Sequence, residues 1–341
     1  MTRHRFYDLS ENEQISGLAK LGQEALKAYG MADAELTPIA YRENMTFAVD
    51  AGSRGRFALR VHQAGYRADA QVQSELDFME HVNAAGVRTP KVIRAGSGAS
   101  FVYAEHGDAD APRQCDMFEW IDGRPFRRLA EQPEVSVEEA VAVYTEVGRQ
   151  VATIYNATEN WERPEGFDRP AWDADGIFGV NGHLGDFRLI QNVTDAQRGL
   201  LTDIERKLTG DLNDYGKGPD RYGLTQADLL PENIMVCADG IRLIDFDDTG
   251  DSWILFEMAT ALMDLAGTDY FDPSLGALIT GFRERRALPD EHLAMLPAFM
   301  IARLLSYLAH TVSRSHLEQS QAGQQMMLTM LEEHGPAYLA L

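Results

Sequence analysis

Two short stretches decide the reading of this chain: Thr225-Gln226-Ala227-Asp228-Leu229-Leu230-Pro231-Glu232-Asn233-Ile234-Met235-Val236, and then Leu243-Ile244-Asp245-Phe246-Asp247. Asp228 and Asn233 flank a tight loop at Pro231. The β-formers at 234–237 and 241–244 read as a strand pair turning at Ala238-Asp239-Gly240. Such a hairpin returns Asp245 to the loop, so three oxygen-bearing side chains converge at one end of a small sheet. Phosphoryl transfer from a nucleotide needs this set. One carboxylate accepts or orients the acceptor's hydroxyl proton, while a carboxylate and an amide oxygen hold hard Mg²⁺ ions against the phosphates. Taken singly, 228–233 reads as a solvated turn and 245–251 as an acidic loop. Their order and the strand–loop–strand setting favour the chemical reading.

Upstream, Ser10 and Glu13 predict a capping box opening a helix through Leu18, Leu21 and Leu26. Strands are expected at 46–49 and 57–61, joined by a glycine-containing loop at 50–55, and again at 91–95, 100–104 and 114–120. A helix over 71–82, stopped by Gly86, is inserted between them. After the turn cluster Asp122-Gly123-Arg124-Pro125 the pattern is helical: Val137–Thr158, then 196–208, then from Ser252 onward with breaks at Pro273, Pro289 and Pro297. The segment 161–185, rich in glycine and proline, reads as loop. The expected organisation is a β-rich lobe joined by a short hinge near residue 121 to a larger helical lobe.

Composition bounds the partners. The 341 residues carry 53 acidic and 31 basic side chains, a net charge of −22. With 45% hydrophobic and 25% charged residues, this is a globular composition, neither disordered nor collagen-like. Such acidity argues against nucleic acid and anionic membrane surfaces, and either suits a cationic small molecule or serves solubility alone. Arginine dominates the cations, lysine being confined to Lys20, Lys27, Lys91, Lys207 and Lys217. Cys115 and Cys237 read as reduced core thiols. No apolar run follows the basic N-terminus, and the most apolar stretch, 294–309, contains Pro297 and Arg303 and is too short to span a bilayer. A cytoplasmic location without membrane attachment is expected. Gly96-Ser97-Gly98 and Gly216-Lys217-Gly218 lack nucleotide-binding glycine patterns, and no histidine pair has zinc spacing.

The 225–247 region resembles the catalytic loop and metal-binding Asp of the protein-kinase-like fold. It is most similar to the branch of aminoglycoside and macrolide phosphotransferases, choline kinases and type II homoserine kinases, which reads H-x-D-x-x-x-x-N and then I-D-F/W-D/E. The likeness runs on through Arg42-Glu43-Asn44-Met45-Thr46-Phe47-Ala48-Val49, Phe57-Ala58-Leu59-Arg60-Val61-His62, Phe118-Glu119-Trp120-Ile121-Asp122-Gly123-Arg124-Pro125 and Trp253-Ile254-Leu255-Phe256-Glu257-Met258-Ala259. It implies an α+β, two-lobed fold: an N-terminal nucleotide-binding lobe over 1–120, and a helical lobe over 121–341 with the catalytic loop, metal and acceptor site. It implies ATP and Mg²⁺ as cofactors. Asp228 would be the catalytic base, and Asn233 and Asp245 the metal ligands. Arg60 stands where the family has a Lys paired to the nucleotide phosphates, with Glu75 as its helix partner. Asn44 and Thr46 belong to the phosphate-covering turn, and Glu119 and Ile121 to the strand that hydrogen-bonds adenine. Trp253 and Glu257 would support the catalytic loop.

The chain departs from the family pattern at three positions. Gln226 replaces the loop His, Arg60 the Lys, and Glu257 an Asp. An amide still donates and accepts, whereas a guanidinium demands different geometry. Only 246–251 separates Asp245 from the next expected helix, which leaves no platform for a peptide and favours a small-molecule hydroxyl. Clustered carboxylates at Asp247 and Asp248 suit an amine-bearing acceptor such as an aminoglycoside, choline or an amino alcohol. Trp172, Asp173, Tyr307 and His310 complete the candidate acceptor residues, core packing being the alternative for Trp172, Tyr307 and His310. The expected partners are a nucleotide and this acceptor, the chain being a monomer or homodimer. A Ser/Thr protein kinase of the stress-response type and a nucleotide-binding pseudokinase module are the alternatives.

Overall fold

The computed structural model describes residues 5–109, 111–126, 135–314 and 318–341. The chain divides into two compact units, Met1–Arg124 with Glu162–Asp168, and Pro125–Trp161 with Arg169–Leu341.

The first unit is a helix-backed antiparallel sheet. Helix α1 (Glu11–Ala28) opens where expected, the Glu13 carboxylate accepting from the Ser10 backbone N–H at 2.9 Å and from its hydroxyl at 2.6 Å. Strands β1 (Glu35–Tyr41), β2 (Met45–Asp50), β3 (Arg56–Val61), β4 (Val92–Ile93), β5 (Phe101–Ala104) and β6 (Arg113–Glu119) follow, with α2 (Asp69–Ala84) between β3 and β4, and the short β7 (Gly123–Pro125), which is not part of this sheet, crosses the division of the chain at Arg124. The sheet order is β1-β2-β3-β6-β4, with β5 also on β6 and every pair antiparallel. The β2–β3 hairpin sets Thr46 opposite Arg60, and β6 sets Asp116 opposite Arg60 on the other side. Directly opposed residues share a sheet face, so these three side chains are neighbours by register. Leu21 and Leu26 of α1 join Phe47, Leu59 and Met117 of the sheet in one core. A Cβ on Gly22 would meet Leu36 at 3.1 Å and Leu59 at 3.2 Å, so glycine sets how closely α1 lies on the sheet. Strand β1 has no counterpart in the sequence reading. It carries Pro38 and is mostly exposed, which an edge strand tolerates and an alternating pattern would not show.

The second unit is largely helical. It contains α3 (Val137–Thr158), β8 (Ala171–Trp172), α4 (Ala174–Phe178), α5 (Asp195–Tyr215), β9 (Tyr222–Thr225), β10 (Ile234–Cys237), β11 (Gly240–Leu243), β12 (Gly250–Trp253), α6 (Ile254–Leu262), α7 (Phe271–Arg283), α8 (Asp290–Leu293), α9 (Leu296–Ser313) and α10 (Glu318–Leu339). Gly148 of α3 and Gly281 of α7 allow close backbone approach: a Cβ on Gly148 would lie 2.1 Å from the Leu278 carbonyl oxygen, and one on Gly281 1.9 Å from that of Thr145. Helix α6 is buried on all sides. Pro273 and Pro297 fall in first helical turns and Pro289 immediately before α8, so each starts a helix as well as ending what precedes it. The segment expected to be loop carries β8 and α4, and β12 pairs β8 in parallel and β9 antiparallel. An antiparallel-sheet unit followed by a helical one is the α+β class that the resemblance implies. Among the described residues, no helix is long and apolar enough to cross a membrane.

Candidate active site

In the second unit, β9 delivers the loop 226–233, and the β10–β11 hairpin returns the chain to it. Backbone hydrogen bonds close the arrangement: the Asn233 N–H donates to the Leu230 carbonyl at 2.9 Å, and the Ile244 N–H to the Asn233 carbonyl at 2.9 Å. The Asn233 side-chain amide donates to the Asp228 carbonyl oxygen at 2.8 Å and to its Oδ2 at 3.2 Å. Gln226, fully buried, donates through Nε2 to the carbonyl oxygens of Ile244 at 2.9 Å and Asp245 at 2.6 Å. Loop and hairpin are thus clasped from both sides. Ala227 and Asp245, beside and among these residues, have φ of 65° and 59°. Such left-handed geometry is strained for residues with a Cβ and recurs at functional sites. It leaves Asp245 exposed while Phe246 next to it is buried.

Glu257 supports this loop from α6. Its Oε1 accepts from the Ala227 N–H at 3.3 Å and from the Thr225 hydroxyl at 3.2 Å. Burial, reinforced by the Asp228 charge and opposed by the Thr225 bond, pushes its carboxyl up to about 8. Trp253 is buried, its indole N–H donating to the Gly216 carbonyl at 2.7 Å. Arg303 of α9 was not singled out by sequence as a site residue. It lies buried with Nη2 at 2.7 Å from Asp228 Oδ1 and 3.2 Å from the Tyr307 hydroxyl. Burial, moderated by the Arg303 charge, raises the Tyr307 phenol to about 12.

The acceptor candidates are dispersed in role. Trp172 is in the core, stacked on Phe256 with ring centroids 6.3 Å apart, and donates its indole N–H to the Asp248 carbonyl at 2.7 Å. Asp173 caps α4 through the Gly176 N–H at 3.1 Å and pairs with Lys217 at 2.6 Å. Burial disfavours its charge, but Lys217 and that N–H bring its carboxyl below the usual range. Asp247 and Asp248 are half-buried, and Arg169 donates to the carbonyls of Asp247 and Thr249, the latter at 2.7 Å. The backbone of 247–249 is therefore pinned by Arg169 and Trp172. Tyr307 and His310 are half-buried on α9, and burial holds the His310 imidazole below its ordinary value.

In the first unit, Arg60 Nη1 lies 2.9 Å from Glu75 Oε1, joining β3 to α2. The stronger hold on Arg60 is one the sequence reading missed. Asp116 accepts from Arg60 Nε at 3.0 Å and Nη2 at 2.7 Å, and its Oδ2 lies 2.9 Å from His62 Nε2. Burial opposes the Asp116 charge, yet Arg60 and then His62 hold its carboxyl well below the carboxylate range. Asp116, Glu75 and His62 are all essentially solvent-free, and Arg60 is 8% exposed. Asn44 accepts the Gln63 N–H through Oδ1 at 3.2 Å, fixing the turn before β2. Thr46 lies opposite Arg60, Glu119 ends β6 with its N–H on the Lys91 carbonyl at 2.8 Å, and Ile121 follows that strand.

Comparison with known proteins gives concordant matches. A family model described as "Phosphotransferase enzyme family" matches residues 35–294. The solved structure of the microcompartment-associated aminopropanol kinase is similar at 29% identity and a TM-score of 0.78, covering 94% of this chain and 95% of that one. An uncharacterised protein of Deinococcus radiodurans is 28% identical over 85% of this chain and 80% of its own length. The amicoumacin kinase hAmiN, solved in complex with AMP-PNP, Ca²⁺ and Ami, shares the fold at 16% identity and a TM-score of 0.72, covering 96% of this chain and 94% of that one.

Proposed function

Since the chain belongs to the phosphotransferase enzyme family and is a small-molecule phosphotransferase, we propose that it moves the γ-phosphoryl group of ATP, with Mg²⁺, to a hydroxyl of an amino alcohol, aminoglycoside or similar acceptor. The observation that carries this reading is the clasp in the second unit, where Asn233 fixes Asp228 and Gln226 fixes Asp245. Asp228 takes the proton of the acceptor hydroxyl as its oxygen bonds to the γ-phosphorus and the bond to the β–γ bridging oxygen breaks, releasing ADP.

The donor chemistry fits Mg²⁺. Asn233 spends its amide nitrogen on Asp228, which leaves its carbonyl oxygen as the donor, and Asp245 offers an exposed carboxylate. No cluster of three or more His, Cys, Asp or Glu side chains suited to a metal occurs among the described residues. Mg²⁺ commonly takes one or two protein carboxylates and completes its shell with phosphate and water, so Asn233 and Asp245 are sufficient. Bound there, the ion would neutralise charge on the phosphates.

The first unit is the nucleotide-binding part in this reading, with Arg60, Glu75, Asn44, Thr46, Glu119 and Ile121 as its residues. Arg60 stands between two carboxylates, so its role is a placed guanidinium fork and not an excess of positive charge. The two bonds made by Gln226 support an active enzyme over a pseudokinase, because the residue still does structurally what a loop-orienting side chain must do.

The test is radiolabel transfer from γ-labelled ATP in Mg²⁺ to a panel of 1-amino-2-propanol, ethanolamine, choline, aminoglycosides, macrolides, homoserine and casein. Label in a small-molecule product supports the proposal. Label confined to casein, or none transferred, overturns it.

A further inference from the structure

We infer that Arg303 is a positioning residue of the transfer reaction, holding the Asp228 carboxylate in the orientation in which it meets the acceptor hydroxyl. This inference rests on the phosphotransferase reading. Arg303 lies in a stretch of α9 whose sequence neighbours Ile301, Ala302, Leu304 and Leu305 are all buried. Its guanidinium lies against the Tyr307 ring at 4.4 Å and the Phe256 ring at 5.5 Å from the centroids. The aromatic walls fix its plane, and Nη2 donates to Asp228 Oδ1 at 2.7 Å. The other carboxylate oxygen of Asp228 accepts from Asn233 at 3.2 Å. With one donor on each oxygen, the carboxylate cannot rotate freely, while each oxygen keeps a second lone pair for the incoming hydroxyl.

Stability does not explain this cation. The Arg303 side chain is 1% exposed against 22% for Asp228, and its Nε and Nη1 are buried with no hydrogen-bond partner. A buried guanidinium satisfied at one nitrogen is expensive, and buried ion pairs are commonly replaced by apolar residues without loss of stability. Glu257 lies near enough to feel the Arg303 charge but makes no hydrogen bond or ion pair with it, its Oε1 accepting from Ala227 and Thr225 instead. Among the described residues, Asp228 is thus the carboxylate that Arg303 contacts directly, and Arg303 acts through it.

The experiment compares wild type, Arg303→Met and Arg303→Lys by ADP release from MgATP, with 1-amino-2-propanol as acceptor and with water alone. A fluorescent ATP analogue reports nucleotide affinity, and thermal melting reports folding. Arg303→Met should fold and lose at least tenfold in kcat, while KM for ATP and analogue affinity stay within about twofold, because the residue touches Asp228 and not the nucleotide. Arg303→Lys should fall between the two, keeping the charge without the planar fork. Should Arg303→Met melt far below wild type, Arg303→Lys decides, and a kcat equal to wild type overturns the inference. So does undiminished kcat in a folded Arg303→Met, or a loss of kcat matched by an equal loss of nucleotide affinity. The acceptor is replaced by another small molecule of the panel above if 1-amino-2-propanol is not turned over, and no wild-type turnover with any of them or with water defeats the phosphotransferase reading and this inference together. Wild-type turnover with an unaffected variant defeats this inference alone.

Discussion

The side-chain amide of Gln226 donates to the backbone carbonyl of Asp245 at 2.6 Å, tying the loop that carries Asp228 to the residue that follows the β10–β11 hairpin. Its bond to Ile244 at 2.9 Å doubles the tie. Gln226→Ala leaves buried carbonyls without their donor, a loss of about 1–3 kcal/mol. Expected are a lower melting temperature and a kcat reduced about tenfold or more through misplacement of Asp245. Gln226→His, restoring a ring N–H donor, should retain most of both. Steady-state rates and thermal melts on the two variants check this, and a fully active Gln226→Ala contradicts it.

Asp116 carries the corresponding load in the first unit. It holds Arg60 at two nitrogens and His62 at a third, all within a solvent-free cluster. Asp116→Ala leaves the buried Arg60 paired with Glu75 but its Nε and Nη2 without their Asp116 acceptor, and should cost about 3–5 kcal/mol by urea unfolding. ATP affinity should fall with it, as Arg60 loses its orientation. Loss of stability with ATP binding intact would separate the cluster from nucleotide recognition.

Glu257 gives a pH signature. Burial first of all raises its carboxyl from an ordinary 4.5 to about 8. The folded state then binds this proton more tightly than the unfolded chain. Its contribution to stability is complete below about 4.5, declines as pH rises, and is lost above about 8, a change on the order of a few kcal/mol. Glu257→Gln keeps an acceptor oxygen for Ala227 and Thr225 but removes the titration. Between pH 5.5 and 8.5, wild type should lose more unfolding free energy than Glu257→Gln. Parallel pH curves for the two proteins would show that the carboxyl does not titrate in that window.

Much of this was legible before folding because it is local. The Ser10–Glu13 cap, the β2–β3 hairpin, α3 and the 225–247 stretch each depend on residues near in sequence. What stayed hidden depends on distant partners. Strand β1 carries Pro38 on an exposed edge and so shows no alternation. β9 and β12 are four residues each, too short for a period. Arg303 did leave a signal: it is a lone charge within an apolar helical run, and a charge there demands a partner, whereas Asp116 shares its strand with Arg113, Gln114 and Glu119 and stands out less. The sequence could not say that those partners are Arg60 and Asp228, 56 and 75 positions away. Trp172 reads from sequence as either a pocket or a core residue, and it stacks on Phe256 in the core, while Asp173 caps α4.

The most direct measurement is phosphorus NMR of MgATP turnover with 1-amino-2-propanol and an aminoglycoside, comparing wild type with Asp228→Asn. The account predicts a new phosphomonoester signal growing in step with ADP for wild type. For Asp228→Asn it predicts a rate lower by about 10²–10⁴-fold with nucleotide binding retained. Equal phosphomonoester formation by the two proteins would contradict it.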